Sequence, residues 1–108
     1  MFLNETVFTL RKIIIMIDVN EYFNGGVKSL AYTTPNGKST VGVMVVGDYE
    51  FGTSNHETMT VVEGELVVIL PGESESKSFV NGDVFTVDAG QTFQVKATVD
   101  TSYLCVYR

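Results

Sequence analysis

A chain of 108 residues, 44% of them hydrophobic, makes one domain with a modest core, and it contains no run of eighteen apolar residues that would span a membrane as a helix. Thirteen acidic against seven basic side chains leave a net charge of −6. That balance excludes a nucleic-acid backbone as partner, which needs clustered Lys and Arg, but not a small anion held by one cation and backbone N–H groups. The single cysteine, Cys105, excludes an internal disulfide and leads us to expect a reducing, cytoplasmic setting.

Residues 1–15 differ from the rest: Arg11-Lys12 precedes Ile13-Ile14-Ile15 and then Met16. No small-residue cleavage site follows, so a signal peptide is not expected. We read 1–15 as a mis-assigned start, or else as a flexible or edge-pairing extension, and 16–108 as the folded domain. A first strand is predicted over 27–33, ended by the turn Thr34-Pro35-Asn36-Gly37. A run of small and β-branched residues follows over 39–46. Gly47-Asp48 breaks it, and 49–53 alternates aromatic with polar or small residues. Strand 59–62 leads through a tight Glu63-Gly64-Glu65 turn to strand 66–70. Residues 71–77 read as a polar loop. Strands 78–80 and 84–87 flank Asn81-Gly82, a hairpin signal. After Asp88-Ala89-Gly90 come strands 92–97 and 102–107. No segment keeps a 3.6-residue period over three turns, and strands every eight to twelve residues predict a sandwich or barrel.

Two spacings refine this. Glu57 is followed after six residues by Gly64, and Gly82 after five residues by Asp88-Ala89-Gly90. Both are similar to the two halves of the cupin pattern, with Asp88 where proline is usual. The resemblance implies an all-β fold, a single cupin-type jelly-roll β-barrel. Metal-binding cupins place histidines where this chain has Phe51, Thr53 and Phe93. No metal is therefore expected.

Alternation along strands says which side chains can share a pocket. With Glu57 inward, Met59 and Val61 follow it. Tyr49, Phe51 and Thr53 form a second row, Phe93 and Val95 a third, and Tyr103, Cys105 and Tyr107 a fourth. Aromatics in a small barrel mostly fill space. Glu57 has two readings: a pocket carboxylate, costly among Phe and Met unless hydrogen-bonded, or a solvated loop residue after Ser54-Asn55-His56. His56 reads as a surface histidine, because strand neighbours point to opposite faces. Cys105 reads as buried rather than nucleophilic. Lys28 stands out because it lies within a strand, whereas Lys38 and Lys77 lie in predicted turns and read as solvating charges.

A set of short segments carries a closer resemblance: Asn20-Glu21-Tyr22-Phe23, Val27-Lys28-Ser29, Val41-Gly42-Val43-Met44, Gly47-x-Tyr49-x-Phe51, Glu57-x-Met59-Thr60-Val61 with Gly64, and Ser102-Tyr103-Leu104-Cys105 with Tyr107. In this order and spacing the chain after Met16 resembles the pyrimidine/purine nucleoside phosphorylases of small bacterial cupin type. One departure is Val106 in place of a basic residue, with Arg108 two residues on and so on the same strand face. The resemblance implies a pentosyltransferase of nucleotide salvage. Such an enzyme converts purine and pyrimidine ribonucleosides and inorganic phosphate into base and ribose 1-phosphate, as a homodimer and without metal or cofactor. From facing pattern and chemistry we expect Lys28, Thr53 and Arg108 to hold phosphate. Glu57 is expected on the ribose hydroxyls or base edge, and Tyr49, Phe51, Phe93 and Tyr103 stacked on base or sugar. Lys28 and Glu57 are the expected catalytic pair. The alternative is a non-catalytic cupin that binds a small ligand or a partner protein.

Overall fold

Residues 17–108, the part of the chain described here in a computed structural model, turn this alternation into two antiparallel sheets. The strands are β1 (Asp18–Tyr22), β2 (Val27–Thr34), β3 (Gly37–Met44), β4 (Gly47–Gly52), β5 (Glu57–Glu63), β6 (Glu65–Ile69), β7 (Lys77–Val80), β8 (Val84–Val87), β9 (Thr92–Ala97) and β10 (Thr101–Tyr107). One sheet runs β1-β2-β3-β10-β5-β8 and the other β4-β9-β6-β7. The result is an all-β jelly roll of two facing sheets rather than one continuously hydrogen-bonded barrel. The reading of residues 1–15 lies outside the described residues.

Two features differ from expectation. β1 was not foreseen: Asp-Val-Asn-Glu-Tyr is mostly polar and lies at a sheet edge, so burial imposes no alternation on it. A single 3-10 turn, Phe23–Gly25, then joins it to β2. The Asn81-Gly82 turn is not a hairpin, because β7 and β8 belong to different sheets. Local bonds still close it, with Val80 N donating to Asp83 Oδ2 at 2.8 Å and Asp83 N to Val80 O at 2.8 Å. The chain after it is captured by β5, where Gly82 N donates to Val61 O at 2.8 Å. Glu63-Gly64-Glu65 is a tight turn as expected, but it too is a corner between sheets, pinned by Gly64 N donating to Asn81 Oδ1 at 2.8 Å.

The core is densest at one end of the sandwich. Val61, Leu66, Val68, Val95 and Ala97 are fully or almost fully buried there. Each such side chain stabilises the fold by about 1.5–3 kcal/mol relative to exposure. Thr101 joins them because its hydroxyl is satisfied: it accepts from Glu65 N at 3.1 Å and donates to Val99 O at 2.8 Å. At the other end the chain supplies Glu57, Lys38 and Tyr107 instead of aliphatic residues, and the sandwich stays hollow.

Candidate functional site

The hollow end is a cavity of about 600 Å³, within the usual range for small-molecule sites, roughly 300–1,000 Å³. Its floor is three adjacent strands, and their register fixes which side chains meet. On β10 the inward residues are Tyr103, Cys105 and Tyr107. Tyr107 is opposite Glu57 of β5, and Cys105 is opposite Met59 of β5 and Thr40 of β3. Lys38, two residues before Thr40 on the same face, extends its ammonium over the Tyr107 ring, 5.8 Å from the centroid. Lys38 and Glu57 thus flank Tyr107, two strand spacings apart, or roughly 10 Å between backbones.

A hydrogen-bonded layer fixes this floor. Thr40 Oγ1 and Tyr107 OH are 3.1 Å apart. Cys105 Sγ donates to Glu57 Oε1 at 3.4 Å. Burial pushes the Glu57 carboxyl above the usual carboxylate range, and the thiol's hydrogen bond opposes this in part. Burial, with the Glu57 charge adding to it, pushes Cys105 up to about 12. The thiol therefore stays protonated and acts as a donor, not a nucleophile. Tyr103 is also pushed up to about 12, mainly by burial. Its ring lies against Gly42, where a Cβ would come within 2.5 Å of the phenol oxygen.

The wall opposite is aromatic. Phe51 and Phe93 are cross-strand partners on β4 and β9, their rings 5.7 Å apart. Phe23 meets Phe51 edge-on at 5.6 Å. Its backbone is left-handed, with φ of 53°, rare outside glycine and asparagine. Phe23 is among the residues that line the cavity.

Of the expected site residues, Glu57, Phe51, Phe93 and Tyr103 line the cavity. Tyr49 stands behind the wall; its hydroxyl donates to Val45 O at 2.6 Å and its ring packs on Phe23. Thr53 is committed elsewhere, donating to Asp88 O at 2.6 Å and accepting from Gln91 N at 2.9 Å, which ties β4 to the turn before β9. Lys28 does not reach the cavity. It points to the outer face of β2, 3.3 Å from Glu21, because its neighbours Val27 and Ser29 take the inward positions. Arg108 is not among the residues that line the cavity; its Nη1 donates to the carbonyls of Lys38, at 3.2 Å, and Tyr107. His56 faces outward to Asp88, with Nδ1 2.9 Å from Oδ1.

The residue that sequence reasoning missed is Lys38, taken there for a turn charge. Its signal was parity, since Lys38, Thr40, Gly42 and Met44 share one face and Met44 is fully buried. Among the described residues no three His, Cys, Asp or Glu side chains converge as metal ligands would.

The sequence model of the family described as pyrimidine/purine nucleoside phosphorylase matches residues 17–107. A protein of that name from Pseudoalteromonas atlantica is 58% identical over 92 residues, covering 85% of this chain and 99% of the relative. Another from Hahella chejuensis is 60% identical over 93 residues, with the same coverage. Among solved structures, a protein of unknown function from Vibrio parahaemolyticus superposes with a TM-score of 0.81 at 42% identity, covering 84% of this chain and 97% of that one. An RmlC-like cupin from Shewanella frigidimarina superposes with a TM-score of 0.65 at 16% identity, covering 85% and 83%, and shares the fold. With a family model spanning nearly every described residue and relatives above half identity, this chain belongs to the pyrimidine/purine nucleoside phosphorylase family.

Proposed function

We propose that the cavity carries out phosphorolysis of ribonucleosides, giving free base and ribose 1-phosphate, a pentosyl transfer of the kind used in nucleotide salvage. The observation that carries this reading is the placement of one cation and one carboxylate on either side of Tyr107, beneath an aromatic wall. Phosphate is held at the Lys38 end, with the Arg108 guanidinium, bonded to the Lys38 carbonyl, as a second nearby cation. The ribose lies over Tyr107, and the base stacks on Phe51 and Phe93 toward Glu57. Stacking works for any planar base, which suits purines and pyrimidines alike. Phosphate beside the anomeric carbon stabilises the positive charge that develops on the sugar as the glycosidic bond stretches.

Phosphate is the co-substrate, and no metal takes part. Phe51 and Phe93 offer no lone pair where metal-binding cupins have histidine, and the Thr53 hydroxyl is already engaged. The protein acts in the cytoplasm, the reducing setting expected for a chain with a single cysteine. It does so as a homodimer, joined through the outer face of the larger sheet.

The test is incubation with inosine or uridine, with and without phosphate, followed by chromatography for free base and ribose 1-phosphate. Phosphate-dependent release is expected. Failure to release base from any nucleoside would favour the alternative, a cupin that only binds a small ligand or partner. Loss of activity with a chelator would overturn the metal-independent part of the reading.

A further inference from the structure

How the base leaves is the next question, and it bears on Glu57. When a phosphate oxygen bonds to the anomeric carbon, the carbon–nitrogen bond breaks and its electron pair goes to the base. An ordinary base then departs as an anion unless a proton reaches it. Glu57 is half-buried between Tyr107 and Met59, and no cation forms an ion pair with it among the described residues. Its Oε1 accepts from the Cys105 thiol, which orients the carboxyl group and leaves Oε2 for the substrate.

We propose that Glu57, oriented by the Cys105 thiol at the cavity floor, is the general acid that protonates the departing base. This rests on the phosphorolysis reading above. The balance is simple. Hydrogen phosphate dianion attacks, the base takes both the bonding electrons and the Glu57 proton, and Glu57 is left as a carboxylate. The new ribose 1-phosphate releases the proton it brought from hydrogen phosphate, and one proton from solvent restores the acid.

Burial favours the neutral form of Glu57, and the Cys105 thiol that donates to it opposes this in part. Facing it from β10 are Cys105, Tyr103 and Tyr107, each held un-ionised. Glu50 of β4 also borders the cavity but is exposed and accepts from Gln94 Nε2 at 2.6 Å, and Lys38 of β3 is set apart across Tyr107. His56, next in the chain, is turned away to Asp88. Cys105 is a positioning residue here and touches no substrate in this scheme.

The test compares two leaving groups in Glu57→Gln, which keeps the shape and a hydrogen-bond donor but carries no acidic proton. Uridine needs a proton to leave. 7-Methylguanosine carries a cationic base that departs neutral without one. The variant is expected to lose about 10²–10⁴-fold in kcat on uridine, the usual scale of general acid catalysis, and to stay within about threefold of the parent on 7-methylguanosine. Equal losses on both would make Glu57 a ribose-binding residue and overturn the acid assignment alone. A parent protein that releases base from neither nucleoside overturns this assignment together with the phosphorolysis reading. The pH profile is an independent readout. Parent kcat on uridine should fall as pH rises through the Glu57 titration, and the variant should lack that limb. Identical profiles would overturn the assignment as well.

Discussion

Lys38 shows how one residue's facing decides its chemistry. Its ammonium lies over Tyr107, a contact worth about 0.5–1 kcal/mol at an exposed site. A bound phosphate adds a charge-assisted hydrogen bond worth about 1.5–3 kcal/mol. Lys38→Ala should therefore raise the KM for phosphate by roughly 10- to 100-fold with little change in the nucleoside KM. Steady-state kinetics with each substrate varied in turn will show this; an unchanged phosphate KM removes Lys38 from the anion site. Lys28→Ala should leave the phosphate KM alone, since its exposed pair with Glu21 lies on the other side of the sheet. Glu57 has a second consequence. Burial raises its folded pKa, so the folded state binds that proton more tightly than the unfolded chain does. Its stabilising contribution is complete at acid pH and is lost as pH rises through the folded value. Glu57→Gln should raise the melting temperature more at neutral pH than at pH 4, measured by circular dichroism. A gain that is equal at both pH values would contradict the raised pKa. The cupin spacing with strand parity put Glu57, Phe51, Phe93 and Tyr103 on the inward face, where they line the cavity, but it put Tyr49 and Thr53 there as well. It failed for Lys38 because the residue follows a turn glycine and polar side chains there are usually solvated.

At the level of elements, most strand positions were legible because those strands have at least one buried face, whereas β1, which has none, was not. Strands 84–87 and 92–97 match the expected bounds. The partners were not legible, because a turn sequence says that the chain bends, not which sheet it bends into. Asn81-Gly82 has the composition of a hairpin turn, yet bonds to Val61 and Gly64 draw it into a corner between sheets. Gly64 makes the companion corner possible. Its φ is +123°, and a Cβ there would overlap Thr101, the buried hydroxyl that closes the packed end. Gly42 is different: its backbone is ordinary, but a methyl group would strike the Tyr103 ring. Gly42→Ala should cost about 1–3 kcal/mol, the scale of overpacking. Gly64→Ala should cost more, adding backbone strain of about 1–3 kcal/mol to the same kind of overlap. Urea unfolding of the two variants tests the order, and a Gly64→Ala midpoint at or above that of Gly42→Ala would refute it. Because Tyr103 lines the cavity, Gly42→Ala should also lower activity under conditions where the variant is fully folded.

At the scale of the whole molecule, the outer face of the larger sheet remains to be accounted for. Register aligns Val19, Leu30, Val41 and Leu104 in one row across β1, β2, β3 and β10. Val19, Leu30 and Val41 are exposed, as is Val43 in the next row. Adjacent strands are about 4.8 Å apart, so this apolar row is roughly 15 Å wide, and contiguous patches of this kind mark contact sites. The homodimer proposed above would seat a second copy of the chain on this row. Each copy carries a net −6, so two copies repel, yet the outward charges over β1 and β2 are Glu21 and Lys28, already paired to each other. Contact through this face would add little to that repulsion, because the Glu21–Lys28 pair carries no net charge. Association should therefore strengthen with added salt, which screens the remaining charges over about 10 Å at 0.1 M and about 3 Å at 1 M. An interface built on ion pairs would weaken instead. Leu30→Glu with Val41→Glu places two like charges in the row of each copy and should yield monomers while leaving the inward-facing cavity residues in place. Light scattering at low and high salt, with the parent and the double variant side by side, decides it. A double variant that stays dimeric, or a parent dimer that dissociates as salt rises, would move the interface to another face.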